Sequence, residues 1–293
     1  MNRPRDRQKK RQEDDRRSHG SRHEHDDRNI DRREVEEIEQ RSTPPTPVIY
    51  EVVRKLGQEE MERPVTSLWW SGVAAGLSIS FSLLAQAILY THLPDTSWRP
   101  LVTSFGYSVD FLMVVLARQQ LFTENTLTVV LPLMAEPSPR SLGLTARIWG
   151  VVLLANLAGT LFAALFCTFT PVLTTELKDG MIELSRQSMG HGWLETCFRG
   201  VSAGFLIAAM VWIMPAANAA QFHVVTLMTY LIGAGEFLHI VAGSVEAFLL
   251  VVNGEMTIWS MITDFTVPVL LGNIVGGTAL FALIAYAQVM KEI

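Results

Sequence analysis

The chain has 293 residues, 49% of them hydrophobic, and a formal net charge of -5. Residues 1–63 hold 16 of the 24 Lys and Arg and 16 of the 29 Asp and Glu, so the remainder is only about 9% charged, against roughly 25% in soluble domains. That distribution excludes an ordinary soluble enzyme and an all-disordered chain; it fits a polar tail joined to a membrane domain.

The tail comes first. Residues 1–42 mix 13 basic and 12 acidic side chains with almost nothing apolar. Such a segment cannot bury enough surface to offset its ordering entropy, so disorder is expected over residues 1–47. Its mixed sign argues against nucleic acid as a partner. His19, His23 and His25 read as solvated side chains rather than a metal site, and no apolar core follows the charged start, so no signal peptide is expected. After Pro44, Pro45 and Pro47, the residues Ile49, Val52, Val53 and Leu56 recur at helical spacing between charged neighbours. They predict an amphipathic helix over 48–63, lying on the membrane surface or against the membrane domain.

Residues 64–293 follow as a channel-like domain. A membrane span needs about 20 apolar residues. Leu68–Tyr90, Leu142–Phe169, Thr196–Met214 and Val267–Val289 qualify as simple spans. Leu101–Met134 and Phe222–Val252 are too long and carry polar clusters: Arg118, Gln119, Gln120, Glu124 and Asn125 in one, Glu236, His239, Ser244 and Glu246 in the other. A helix that stops, loops through a protein-lined passage and restarts keeps such groups out of lipid. Asp110 reads as solvated near the outer end of its span. The broad Thr170–Trp193 stretch reads as a loop, and Cys167 and Cys197 as small buried hydrophobes.

The order intact, broken, intact occurs twice. Gly72–Gly76 resembles Gly200–Gly204, and Asn156–Gly159 resembles Asn273–Gly276 at an offset of 117, which also lays Gln119–Phe122 on Glu236–His239. Halves with three spans each point in opposite directions, so the expected fold is an all-α membrane protein built as a 3+3 inverted repeat with helices 2 and 5 interrupted. The basic residues flanking the spans place both termini in the cytoplasm.

Over residues 45–293 the sequence resembles the formate/nitrite transporter family, in its divergent YfdC-like branch. The resemblance rests on Leu121-Phe122-Thr123, the Gly200–Trp212 stretch, Phe237-Leu238-His239 and Gly272–Gly277. It implies an aquaporin-like fold in a bacterial-type inner membrane and a homopentamer with one anion pore per protomer. In that family Leu-Phe-Thr narrows the pore and the central histidine follows the second break. Arg118-Gln119-Gln120 departs from the family's pattern, as do Glu124, Gly204, Leu238 and Gly243.

The expected pore residues are His239, Thr123, Leu121, Phe122 and Asn273. His239 suits a weak-acid anion because an imidazole donates a hydrogen bond or a proton near neutral pH. Leu121 and Phe122 would form a dry constriction, with Thr123 adding a hydroxyl. Asn273 either caps a close helix contact or faces the pore. Arg118, Glu124 and Glu236 should face a vestibule or join in an ion pair. No phosphate loop, metal-ligand spacing or nucleophile elbow occurs, so neither enzyme activity, cofactor nor metal is expected. The leading function is a channel or transporter for a small monovalent anion such as formate or nitrite, passive or proton-linked. The alternatives are a pore for another small solute, neutral ones included, and a membrane scaffold with a vestigial pore and a partner-binding tail.

Overall fold

The computed structural model describes residues 44–292; the charged tail and its three histidines lie outside them. Among the described residues every regular element is helical. The first helix, α1 (Thr46–Glu62), starts after Pro45 and has Pro47 in its opening turn, where a missing N–H costs nothing. Its buried face is Tyr50, Val53, Gly57 and Met61, packed on the rest of the protein, while Val52 and Leu56 are exposed. The expected helical period is present; the buried stripe is displaced, because α1 turns Tyr50 and Gly57 inward.

The membrane part begins with α2 (Val65–His92) and α3 (Arg99–Leu116). After α3 the chain breaks, then resumes as α4 (Phe122–Thr128) and α5 (Val130–Ala135). A Ser138–Ser141 capping box opens α6 (Pro139–Phe169). The stretch expected to be a loop carries a helix, α7 (Thr175–Ser188), capped by the Thr174 hydroxyl. Then come α8 (Trp193–Ala217) and α9 (Gln221–Ala234), joined by a sharp turn at Asn218, where φ is 39°. A second break precedes α10 (Ile240–Val252), and α11 (Ile258–Val289) closes the chain with two stretches of wider π-helical turns.

Six spans result: α2, α3 with α4–α5, α6, α8, α9 with α10, and α11. Large apolar side chains such as Trp70, Phe162, Phe169 and Trp259 stay exposed, as they must where the solvent is lipid. In the first half α6 packs against α2; in the second half α11 packs against α8. Gly76 meets the backbone of Asn156, and Gly204 that of Asn273, the small-residue contact that lets membrane helices approach closely. The two halves therefore repeat the same packing in opposite senses. Cys167 and Cys197 are free and only partly buried.

Candidate functional site

Both breaks begin with a residue in the left-handed region: Arg118 and Glu236, each at φ 52°. Three residues later comes an extended residue that starts the next half-helix: Leu121 before α4 and His239 before α10. The repeat offset across the breaks is therefore 118. This corrects the offset of 117, which matched Phe122 to His239; one residue more separates break from asparagine in the first half. Leu121 is the counterpart of His239, and Phe122 that of Ile240.

An asparagine from the third span of each half holds each break. Asn156 accepts from the Phe122 N–H at 2.9 Å and donates to the carbonyls of Gln120 at 2.9 Å and Gly72 at 2.8 Å. Asn273 accepts from the Ile240 N–H at 2.8 Å and donates to Leu238 at 2.9 Å and Gly200 at 2.8 Å. A helix that stops inside a membrane leaves backbone groups without partners; each carboxamide satisfies two of them and ties the break to a carbonyl of the neighbouring helix α2 or α8. Leu121 and His239 are thereby anchored on both sides. Of the two roles open to Asn273, these bonds describe the cap.

The breaks meet at the centre. Thr123 Oγ1 lies 2.6 Å from His239 Nε2, and both side chains are buried. His239 Nδ1 accepts from the Ala242 N–H at 3.2 Å, capping α10. That bond assigns the tautomer: Nδ1 carries the lone pair, Nε2 carries the proton and donates to Thr123. The threonine hydroxyl keeps its own proton for another acceptor. An imidazolium would set two N–H groups against each other at Nδ1, so the geometry favours a hydrogen-bond donor over a proton donor. Phe111 stands edge-on to the ring, 5.1 Å between centroids. Leu121 and Phe122 are fully buried, and Phe122 lies edge-on to Trp149 with 5.9 Å between ring centroids.

A cavity of about 300 Å³ reaches His239 from the α7 side, with Tyr90, Arg99, Tyr107, Glu236 and Glu246 in its wall. Glu236 thus lines a vestibule, paired with Arg199 at 3.2 Å. The expected pair between Arg118 and a glutamate is absent among the described residues. Inverted symmetry puts the Arg118 and Glu236 turns in opposite halves, Arg118 is exposed, and Glu124 lies toward α1. Asp110, read as solvated, is wholly buried, with Oδ2 unpartnered.

On the opposite side Glu60 of α1 accepts from Thr128 at 2.7 Å, Asn125 at 2.9 Å and Gln120 at 3.2 Å. Burial pushes its carboxyl up from the ordinary glutamate value, against the opposing pull of the Thr128 and Gln120 donors and the Arg63 charge. Sequence reasoning missed Glu60 because it read α1 only by its apolar stripe. Asn156 was visible as a repeat match, but its bonds were not.

A model of the formate/nitrite transporter family matches residues 47–287. The chain belongs to the formate/nitrite transporter family. It is 43% identical over 244 residues to the inner membrane protein YfdC of Escherichia coli K12, covering 83% of this chain and 79% of that one. It is 24% identical over 242 residues to the formate channel FocA of Haemophilus influenzae, with 74% and 84% covered. Among solved structures, a pentameric formate channel with formate bound matches with a TM-score of 0.68 at 21% identity, covering 78% of this chain and 98% of that one. A second FNT family ion channel matches at 0.69 and 19%, with 83% and 98% covered. The half-helices, the paired asparagines and the Thr123–His239 contact thus lie within a chain of the formate/nitrite transporter family.

Proposed function

We propose that this chain is a channel for a small monovalent weak-acid anion of the formate type. It works as a homopentamer in an inner membrane, with both termini on the cytoplasmic side. The observation that carries the reading is the Thr123–His239 contact, buried between half-helices of opposite orientation. A dry constriction rejects hydrated ions, because stripping water from an ion costs several kcal/mol. A carboxylate-sized anion replaces part of that hydration by taking hydrogen bonds from the Thr123 hydroxyl and from the Nε2–H of neutral His239. Relatives named as formate channels, at 24% identity, support formate as the first substrate to try. The relative named an inner membrane protein supports the location, and the fold match to a pentameric formate channel supports five copies.

The test is flux. Purified protein in liposomes is offered formate, nitrite and a neutral solute such as urea. Uptake of the anions above empty liposomes is expected; uptake of urea alone favours the neutral-solute reading, and no uptake at all favours a scaffold.

A further inference from the structure

Taking the channel reading above as its basis, we propose that Glu246 is the proton-exchange group of this pore, handing a proton to the permeant anion before it reaches the constriction. His239, Gly243 and Glu246 stand at i, i+4 and i+7 on α10, so they share one helix face, with about 10 Å of helix rise from first to last. All three line the cavity on the α7 side. Glu246 is 8% exposed. It has no cation partner among the described residues; the Ser188 hydroxyl of α7 faces its carboxyl.

Other charged groups do not neutralise it. From the loop after α2 and the start of α3 the cavity receives Asp95 and Arg99, which pair with each other at 3.0 Å, and Tyr90 lies beneath Arg99. Farther along α3, Tyr107 faces the cavity, with Asp110 one turn on. On α7, Arg186 is engaged by Glu183 and Glu255. His191, beyond α7, contacts Glu195, and Glu236 holds Arg199. On α11, Asp264 takes a hydrogen bond from Thr263, and its neighbour Phe265 covers Gly243.

An ionised Glu246 would repel an anion on its way to His239, whereas the acid form offers it an O–H. His239 is a poor alternative donor, because its Nδ1 is occupied by the Ala242 N–H. The step balances simply. The Glu246 O–H bond breaks, an O–H bond forms on formate, and the products are the glutamate carboxylate and formic acid. The neutral acid crosses the constriction without the desolvation cost of an ion. A hydronium ion from the water on the α7 side then gives its proton to the Glu246 carboxylate and leaves as water. One anion and one proton move together, and no net charge crosses.

The experiment uses the full chain in liposomes, with radiolabelled formate as probe. Initial uptake is measured between about pH 5 and 8, with and without an imposed membrane potential, against protein-free liposomes. Wild-type uptake should rise as pH falls and ignore the potential. Glu246→Gln should lose about tenfold or more at acid pH and give a flat profile. A Glu246→Gln protein with the wild-type rate and profile overturns the inference, as does wild-type uptake that follows the potential like a charged carrier. The second measurement needs no variant, so it decides even if Glu246→Gln fails to fold. Absence of wild-type uptake instead overturns the channel reading itself.

Discussion

At His239 the two ring nitrogens have separate tasks: Nδ1 holds the start of α10 and Nε2 faces Thr123. In the proposed channel His239→Ala removes the N–H that the carboxyl group of the permeant meets at the constriction, so formate uptake should fall by about tenfold or more. The shape of the pH profile should survive, since the proton is exchanged at Glu246; a profile flattened by His239→Ala would return that role to the imidazole. Linkage fixes the sign at Glu60. Its carboxyl, raised by burial, binds a proton more tightly when α1 is docked than when α1 is free. Docking is therefore strongest below the ordinary glutamate value and weakens as pH climbs through the raised one. Protection of residues 46–62 against hydrogen exchange, taken relative to the intrinsic rate at each pH, should rise in acid, and Glu60→Gln should blunt the trend. Protection that grew with pH would count against this account.

Among the elements, the breaks depend on two side chains. Asn273→Ala orphans the Ile240 N–H and the Leu238 carbonyl, each at about 1–3 kcal/mol, and removes the tie from the break to Gly200 of α8. Asn156→Ala does the same to the first break, so each variant should lower the melting temperature in detergent by several degrees, against near-silence for an exposed control such as Leu154→Ala. At Gly57 a Cβ would strike the Thr128 carbonyl, which is backbone and cannot swing away. Gly57→Ala should therefore free α1 and accelerate exchange over 46–62 at every pH. These elements also mark what a sequence conveys. The broken spans were legible because a polar cluster inside a long apolar run is too costly to leave in lipid, and the paired glycines and asparagines gave the repeat. The match of Leu121 to His239 was not legible, since a single extra residue before Asn156 shifts the register. Nor were the burial of Asp110 and the clasp at Glu60, which joins residues about 60 positions apart. Such contacts leave no period to read. Which residues of α1 turn to the protein was not legible for a related cause: the phase of the helix is set by what it packs against.

For the whole molecule, deleting residues 1–42 should leave assembly intact, because that segment has no apolar face with which to dock. Native mass spectrometry of the full and shortened chains should show five copies in both; another dominant stoichiometry would reject the pentamer. The paired asparagines have a further consequence, which concerns time. Asn156 grips the backbone on either side of Leu121, and Asn273 does so around His239, so the backbone at these two breaks cannot move without breaking several buried bonds. What stays free there is rotation of side chains, with a natural clock of picoseconds to nanoseconds when little hinders it. Passage of substrate should thus meet no slow step of milliseconds at these two breaks. Any slower step in uptake then lies away from the breaks, as where α7 borders the cavity that reaches His239.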